Sequence, residues 1–341
     1  MHSHPPGSPP LLTGCDFAQA GYRMLRRDGR PLLLLPPAPA AAALTLGLYL
    51  PQTAKARVAV SALRLANRLG LLGRVLPSAP PPAADAPPSD HAKPFTQADL
   101  DAGRIGVLLC NPSHGGGRFI AVRAGDAPSI VKGAARPQAA ALEQERAILG
   151  RLAALGLPGV PSVLSDGGDA ASYWFEMPHY ARAEVKSVAD IRAIRLLESW
   201  TGGETVNPLE AEPLRSIVAA SGAQTLGPGG LERLSSLRIR RAAMHGDFTP
   251  WNLRQGSGGL VAIDWEWGRE DGIAGLDFGY GLLQEALLVK KLPPPAALQF
   301  AHQLAQSPAA SAYLDESGWG DALDLWLSVC ARYREGCERR G

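Results

Sequence analysis

A chain of 341 residues with 46% hydrophobic content is long enough to build two lobes, each around its own core. Its net charge of +2 gives no bulk attraction to nucleic acid, and its four cysteines, Cys15, Cys110, Cys330 and Cys337, are too scattered for a zinc site or a disulfide framework. No apolar run reaches the roughly 18 residues of a membrane span, and the N-terminus lacks a basic-then-apolar leader, so the expected compartment is the reducing cytoplasm.

Residues 1–13 are polar and proline-rich and read as a loose tail. Two short apolar runs, 22–27 and 30–35, flank Asp28-Gly29, a favoured two-residue hairpin turn. Residues 40–50 read as a short helix stopped by Pro51. A longer helix is expected over 53–75 with two parallel stripes. One is apolar (Val58, Ala62, Leu65, Leu69, Leu72); beside it run Arg57, Ser61, Arg64 and Arg68. The stripes support two readings: a helix lying on a membrane surface or an anionic partner, and an ordinary helix packing its apolar side on a neighbour. The prolines of 77–94 read as a semi-extended linker, which sets residues 1–76 apart as an N-terminal α/β appendage.

After the linker, 105–110 and 118–123 read as two strands joined by a glycine-rich turn that ends in Gly115, Gly116 and Gly117. A third strand, 129–132, ends on Lys132, and 137–155 forms a helix carrying Glu143 and Glu145. Strands are expected at 160–164 and 172–177. From 187 onward the pattern is helical, with helices at 188–200, 213–220 and 231–239, and later at 276–288, 295–305 and 321–335. Glycine- and proline-bearing gaps at 202–208 and 222–230 separate the first three.

One stretch stands out chemically. In Met244-His245-Gly246-Asp247-Phe248-Thr249-Pro250-Trp251-Asn252-Leu253, Gly246 permits a sharp turn beside Asp247 and Pro250 prevents a helix. Asn252 follows Asp247 by five residues, the spacing at which a phosphoryl-transfer loop places a base and a magnesium ligand. The β-branched run 260–263 then delivers Asp264, followed by Trp265 and Glu266. Magnesium is a hard cation that takes one or two carboxylates together with phosphate oxygens and water, and Asp264 with the amide of Asn252 meets that demand.

His245-Gly246-Asp247-Phe248-Thr249-Pro250-Trp251-Asn252 with Ile263-Asp264-Trp265-Glu266 resembles the aminoglycoside phosphotransferase and choline kinase-like family. The resemblance covers roughly 96 to 335. It implies an α+β, bilobal protein-kinase-like fold: a small β-rich N-lobe over 95–179 and a mostly helical C-lobe over 180–341 carrying the catalytic and metal loops. It implies ATP and Mg2+ as cofactors, Asp247 as catalytic base, and Asn252 and Asp264 as metal ligands. By the same resemblance Asp277 braces the site, His245 supports the loop, and Glu266 assists the metal or contacts the acceptor. Gly115, Gly116 and Gly117 would approach the phosphates, Lys132 would pair them, and the backbone of Glu176 and Met177 would meet the adenine. Glu145 is preferred over Glu143 as partner of Lys132, because Glu145-Arg146-Ala147-Ile148-Leu149 is similar to the family's pattern.

The implied reaction is transfer of the γ-phosphoryl group of ATP to a hydroxyl of a sugar-like, aminoglycoside-like or lipid- or glycan-linked acceptor. Trp267, Arg269, Glu270 and Asp271 lie close enough beyond the metal loop to line an acceptor pocket, or form a solvated charged loop. The competing class is a pseudokinase, a kinase-shaped nucleotide-binding or scaffolding module. Its usual sign, loss of lysine, base or metal residues, is absent here. A further reading puts the 53–75 helix to work, holding the protein at the inner face of a membrane.

Overall fold

The computed structural model describes residues 12, 15–49, 51, 53–81, 94–110, 117–221, 226 and 229–338. Its chain divides into two compact units: Met1–Arg146 with Ser162–His179, and Ala147–Pro161 with Tyr180–Gly341.

The first unit is built on a seven-stranded antiparallel sheet. In chain order the strands are β1 (Arg23–Arg27), β2 (Arg30–Leu35), β3 (Ile105–Leu109), β4 (Arg118–Arg123), β5 (Ser129–Ala135), β6 (Ser165–Gly168) and β7 (Ser172–Pro178); the spatial order is β1-β2-β3-β4-β5-β7-β6. Asp28 and Gly29 turn the first hairpin with φ of 51° and 77°. Period-two alternation sorts the side chains. Tyr22, Met24, Leu34, Val107, Phe119 and Val131 enter one core cluster with Phe95 and Leu100, while Leu33, Leu35 and Leu46 form another.

This corrects the expected partition of the chain. The described residues before 77 do not stand apart as an appendage, because β2 pairs with β3 through Leu33↔Leu108 and Leu34↔Val107. Helix α1 (Pro39–Leu48) lies so close on β3 that a Cβ on Gly106 would sit 1.6 Å from Thr45 Oγ1. The start of the expected linker is sewn to β1, with Met24 N–H donating to Pro77 O at 3.0 Å and Ala79 N–H to Tyr22 O at 2.9 Å. The helix expected over 53–75 breaks at Gly70, φ 68°, into α2 (Ala54–Arg68) and α3 (Leu72–Val75). The short helix α4 (Gln97–Asp101) opens on a capping box between Thr96 and Asp99. Helix α5 (Ala140–Ala154) follows β5. The strand expected at 160–164 appears instead as β6, since Pro161 has no N–H to give a ladder.

The second unit is not helical throughout. Besides α6 (Ile191–Ser199), α7 (Leu214–Ser221) and α8 (Gly230–Ser236), it holds two three-stranded sheets. One runs β13-β10-β9, from β9 (Thr201–Val206), β10 (Ile239–Met244) and β13 (Arg269–Ile273); the other runs β12-β11-β8, from β8 (Ala181–Arg182), β11 (Leu253–Gly256) and β12 (Gly259–Ala262). The chain closes with α9 (Leu276–Gln284), continued by a π-helical turn Glu285–Val289, then α10 (Pro294–Ala305), α11 (Pro308–Ser317) and α12 (Leu323–Glu338). Among the described residues no helix is long and apolar enough to cross a membrane.

Candidate active site

The second unit brings Asp247, Asp264, Glu266 and Asp277 to the turn that leaves β10. Gly246 takes φ 83°, and a Cβ there would come within 2.6 Å of Trp267, so the turn accepts only glycine. Asp277, buried in the first turn of α9, clamps it: His245 N–H donates to Asp277 Oδ2 at 2.5 Å and Gly246 N–H to Oδ1 at 3.0 Å. Burial pushes the Asp277 carboxyl up to about 7, against the pull of those two donors. His245 is fully buried beneath the loop. Its Nε2 lies 2.8 Å from Ile263 O, and its Nδ1 accepts from Asp247 N–H at 3.2 Å. Those two partners require the neutral tautomer protonated on Nε2. His245 thus ties the turn to the strand end that carries Asp264.

Asn252 completes the loop. Its Nδ2 donates to Asp247 O at 2.9 Å and to Asp247 Oδ2 at 2.8 Å. Ile263 N–H donates to Asn252 O at 2.9 Å, joining the loop to the segment after β12. There Asp264 takes the left-handed conformation, φ 74°, a strained choice for a residue other than glycine. Trp265 is fully buried, and its indole donates to Ala262 O at 2.7 Å. Its ring lies tilted against His245 at 4.7 Å between centroids, so the residues on either side, Asp264 and Glu266, have a rigid anchor between them.

The electrostatics describe a site short of positive charge. The Asp247 carboxyl is pushed up to about 6, first by burial and next by the charge of Asp264, with Glu266 adding to it. Hydrogen bonds from Asn252 and Tyr280 pull the other way. The donor set fits a hard divalent cation: the nitrogen of Asn252 is spent on Asp247, which leaves its carboxamide oxygen as an acceptor, and Asp264 and Glu266 bring carboxylate oxygens within 4.8 Å of one another.

Tyr280 and Gln284 escaped the sequence reading. The Tyr280 hydroxyl accepts from Gln284 Nε2 at 2.7 Å and helps to hold the Asp247 carboxyl down against burial. The pattern was available: Asp277, Tyr280, Gly281 and Gln284 fall on one face of a helix at i, i+3, i+4 and i+7. Gly281 lets that face close on the loop, since a Cβ there would stand 2.3 Å from Phe248 O.

In the first unit, Lys132 on β5 donates to both carboxylate oxygens of Glu145 on α5, each at 2.7 Å, and both residues are buried. Glu143 pairs with Arg136 instead. Gly117 is left-handed, φ 76°, and its carbonyl accepts from Ala135 N–H at 3.0 Å; Gly115 and Gly116 lie outside the described residues. Glu176 has a different use from the one expected. Its carbonyl accepts from Leu164 N–H at 2.8 Å, and its buried carboxylate accepts from Ser129 Oγ and Ser165 Oγ. Met177 is a core residue, 2% exposed, opposite Ile130 in the ladder. Arg269, Glu270 and Asp271 belong to a strand, with Glu270 paired to Arg151 and Asp271 to Arg269. Pairing with β10 makes the segment a strand, on which Glu270 and Asp271 stay exposed.

No family model matches the sequence, and no curated protein does. Among solved structures, the chain is similar to an aminoglycoside-3'-phosphotransferase of type VIII, at 17% identity over 63% of this chain and 88% of that one, with a TM-score of 0.37. It is similar to an aminoglycoside phosphotransferase, APH(3'')-Id, from Streptomyces rimosus in complex with ADP and streptomycin, at 17% identity over 63% and 90%, TM-score 0.38. A putative fructosamine-3-kinase from Haemophilus somnus matches at 12% identity over 67% and 90%, TM-score 0.36. At such identities the residues of the chain itself must carry the functional reading.

Proposed function

We propose that the protein is a small-molecule phosphotransferase that moves the γ-phosphoryl group of ATP to a hydroxyl of a sugar-like, aminoglycoside-like or glycan- or lipid-linked acceptor. One observation supports it above the others: Asp247, Asn252 and Asp264 converge on one loop system whose backbone is held by Asp277.

Each residue has a role that follows from its surroundings. Asp247 accepts a hydrogen bond from the acceptor hydroxyl. It takes that proton as the acceptor oxygen bonds to the γ-phosphorus and the bridging O–P bond breaks, its electron pair leaving with ADP. Asn252 and Asp264 would hold Mg2+, which supplies charge neutralisation at the phosphate oxygens. Lys132, oriented by Glu145, pairs nucleotide phosphates as a point charge. With the Glu176 carbonyl engaged by Leu164, adenine recognition falls to the backbone after it.

The test is direct. Asp247→Ala is expected to abolish acceptor phosphorylation while Mg2+-dependent nucleotide binding persists. A variant that still phosphorylates its acceptor at the normal rate would remove Asp247 as base; wild type that binds nucleotide and transfers to no hydroxyl compound would favour the pseudokinase reading.

A further inference from the structure

We propose that helix α2 seats the first unit on the surface of an anionic lipid bilayer. The helix starts on Thr53, whose side chain accepts from Ala56 N–H, and docks through Val60, Leu63 and Asn67. Leu63 packs into the Leu33–Leu35–Leu46 cluster, and Asn67 Nδ2 donates to Pro39 O at 2.8 Å. Those positions occupy one face. Over α2 the apolar stripe seen in the sequence lies on the opposite one, Val58 being 70% exposed, Leu65 56% and Leu69 61%, while its last member, Leu72, is buried in α3. So the stripe is not the side by which the helix packs, and burial within the fold does not explain it.

Charge selects the occupant. Arg57, Arg64 and Arg68 run alongside the exposed stripe, and none has an acidic partner among the described residues. From Gly29 to Ala84 the sequence contains six cationic residues, Arg30, Lys55, Arg57, Arg64, Arg68 and Arg74, and no aspartate or glutamate. An apolar line flanked by arginines matches the boundary between acyl chains and anionic headgroups. A second copy of the chain would bring two unpaired cationic lines together without a carboxylate to offset them. A nucleic acid would satisfy the arginines and leave the leucines in water. The protruding apolar surface is small, so binding needs both the stripe and the charges.

The experiment is co-sedimentation of the full chain with vesicles of phosphatidylcholine alone and of phosphatidylcholine mixed with phosphatidylglycerol. Binding is expected to the mixed vesicles only and is lost as salt rises, a result that requires no variant. Val58→Glu with Leu65→Glu is expected to cut the bound fraction at least about tenfold, and Arg57→Gln, Arg64→Gln and Arg68→Gln together about a hundredfold. All five side chains are solvent-facing, so circular dichroism and melting should be unchanged. No binding to the mixed vesicles, or equal binding of wild type and both variants, overturns the proposal. Concentration-dependent dimerisation abolished by Leu65→Glu also overturns it and assigns the stripe to a second copy. The readout is independent of phosphoryl transfer.

Discussion

The side-chain nitrogen of Asn252 bonds both the carbonyl and the carboxylate of Asp247, at 2.9 and 2.8 Å. The five-residue spacing is therefore a closed loop of hydrogen bonds. In the proposed reaction it would fix the carboxylate that takes the proton and present the carboxamide oxygen to a cation. Asn252→Ala removes both effects. The Mg2+ concentration needed for half-maximal turnover should rise about tenfold to a hundredfold, the usual cost of disturbing a metal site. A Mg2+ titration of turnover checks this; an unchanged midpoint would strike Asn252 from the ligand set.

Asp247 carries an acid limb in the pH profile. Its carboxyl sits at about 6, and only the ionised form accepts the proton. With the Asp264 charge offset by Mg2+, the limb should fall below that metal-free value, activity rising with the first power of hydroxide and then levelling off. The stability consequence has the opposite slope. A carboxyl raised in the folded state favours folding below about pH 4, its ordinary range, and that contribution is lost as pH rises through about 6. Asp247→Asn should therefore make the metal-free protein more stable at neutral pH, by about 1–3 kcal/mol, while abolishing turnover. Urea unfolding between pH 4 and pH 8 without divalent ions measures it, and a neutral-pH loss of stability would contradict the assignment of burial as the cause.

How much of this could be read from residues alone varies with the range of the interaction. His245, Asp247, Asn252 and Asp264 lie within one local stretch, so their spacing alone suggested a common centre. Tyr280 was hidden because its role appears only when α9 turns its face to the loop, and Gly281, which permits that approach, reads as a mere weakness in a helix. Strand β9 was hidden for a related reason: Thr201-Gly202-Gly203 looks like a gap, and only pairing with β10 makes it a strand. The N-terminal hairpin was legible through Asp28-Gly29, but its place beside β3 depends on partners more than seventy residues away. The stripe on α2 was visible, yet which face of the helix packs is decided by α1 and the sheet, not by the pattern.

Tyr280 tunes the base. Its hydroxyl lowers the pKa of Asp247 and so favours the ionised carboxylate, while Gln284 Nε2 donates to the hydroxyl. Tyr280→Phe keeps the ring and removes the donor. The acid limb of the activity profile should move upward by about half to one pH unit, and the plateau rate should change little. A profile that keeps its midpoint while the plateau collapses would mean that Tyr280 holds the acceptor and does not tune Asp247.

The Lys132–Glu145 pair separates stability from catalysis. Both groups are almost wholly buried, and the ammonium reaches each carboxylate oxygen at 2.7 Å. Lys132→Met takes the ammonium away from the buried Glu145 carboxylate and should cost about 3–5 kcal/mol in chemical denaturation. Replacing both, Lys132→Met with Glu145→Leu, leaves no buried charge from the pair and should recover most of that loss, because two apolar side chains in such a site are often neutral or better. Turnover should stay low in both variants, since neither can neutralise phosphate charge. Recovery of stability together with activity in the double variant would make the pair a packing device with no part in the reaction; failure of the double variant to recover stability would mean that other groups around Glu145 depend on its charge.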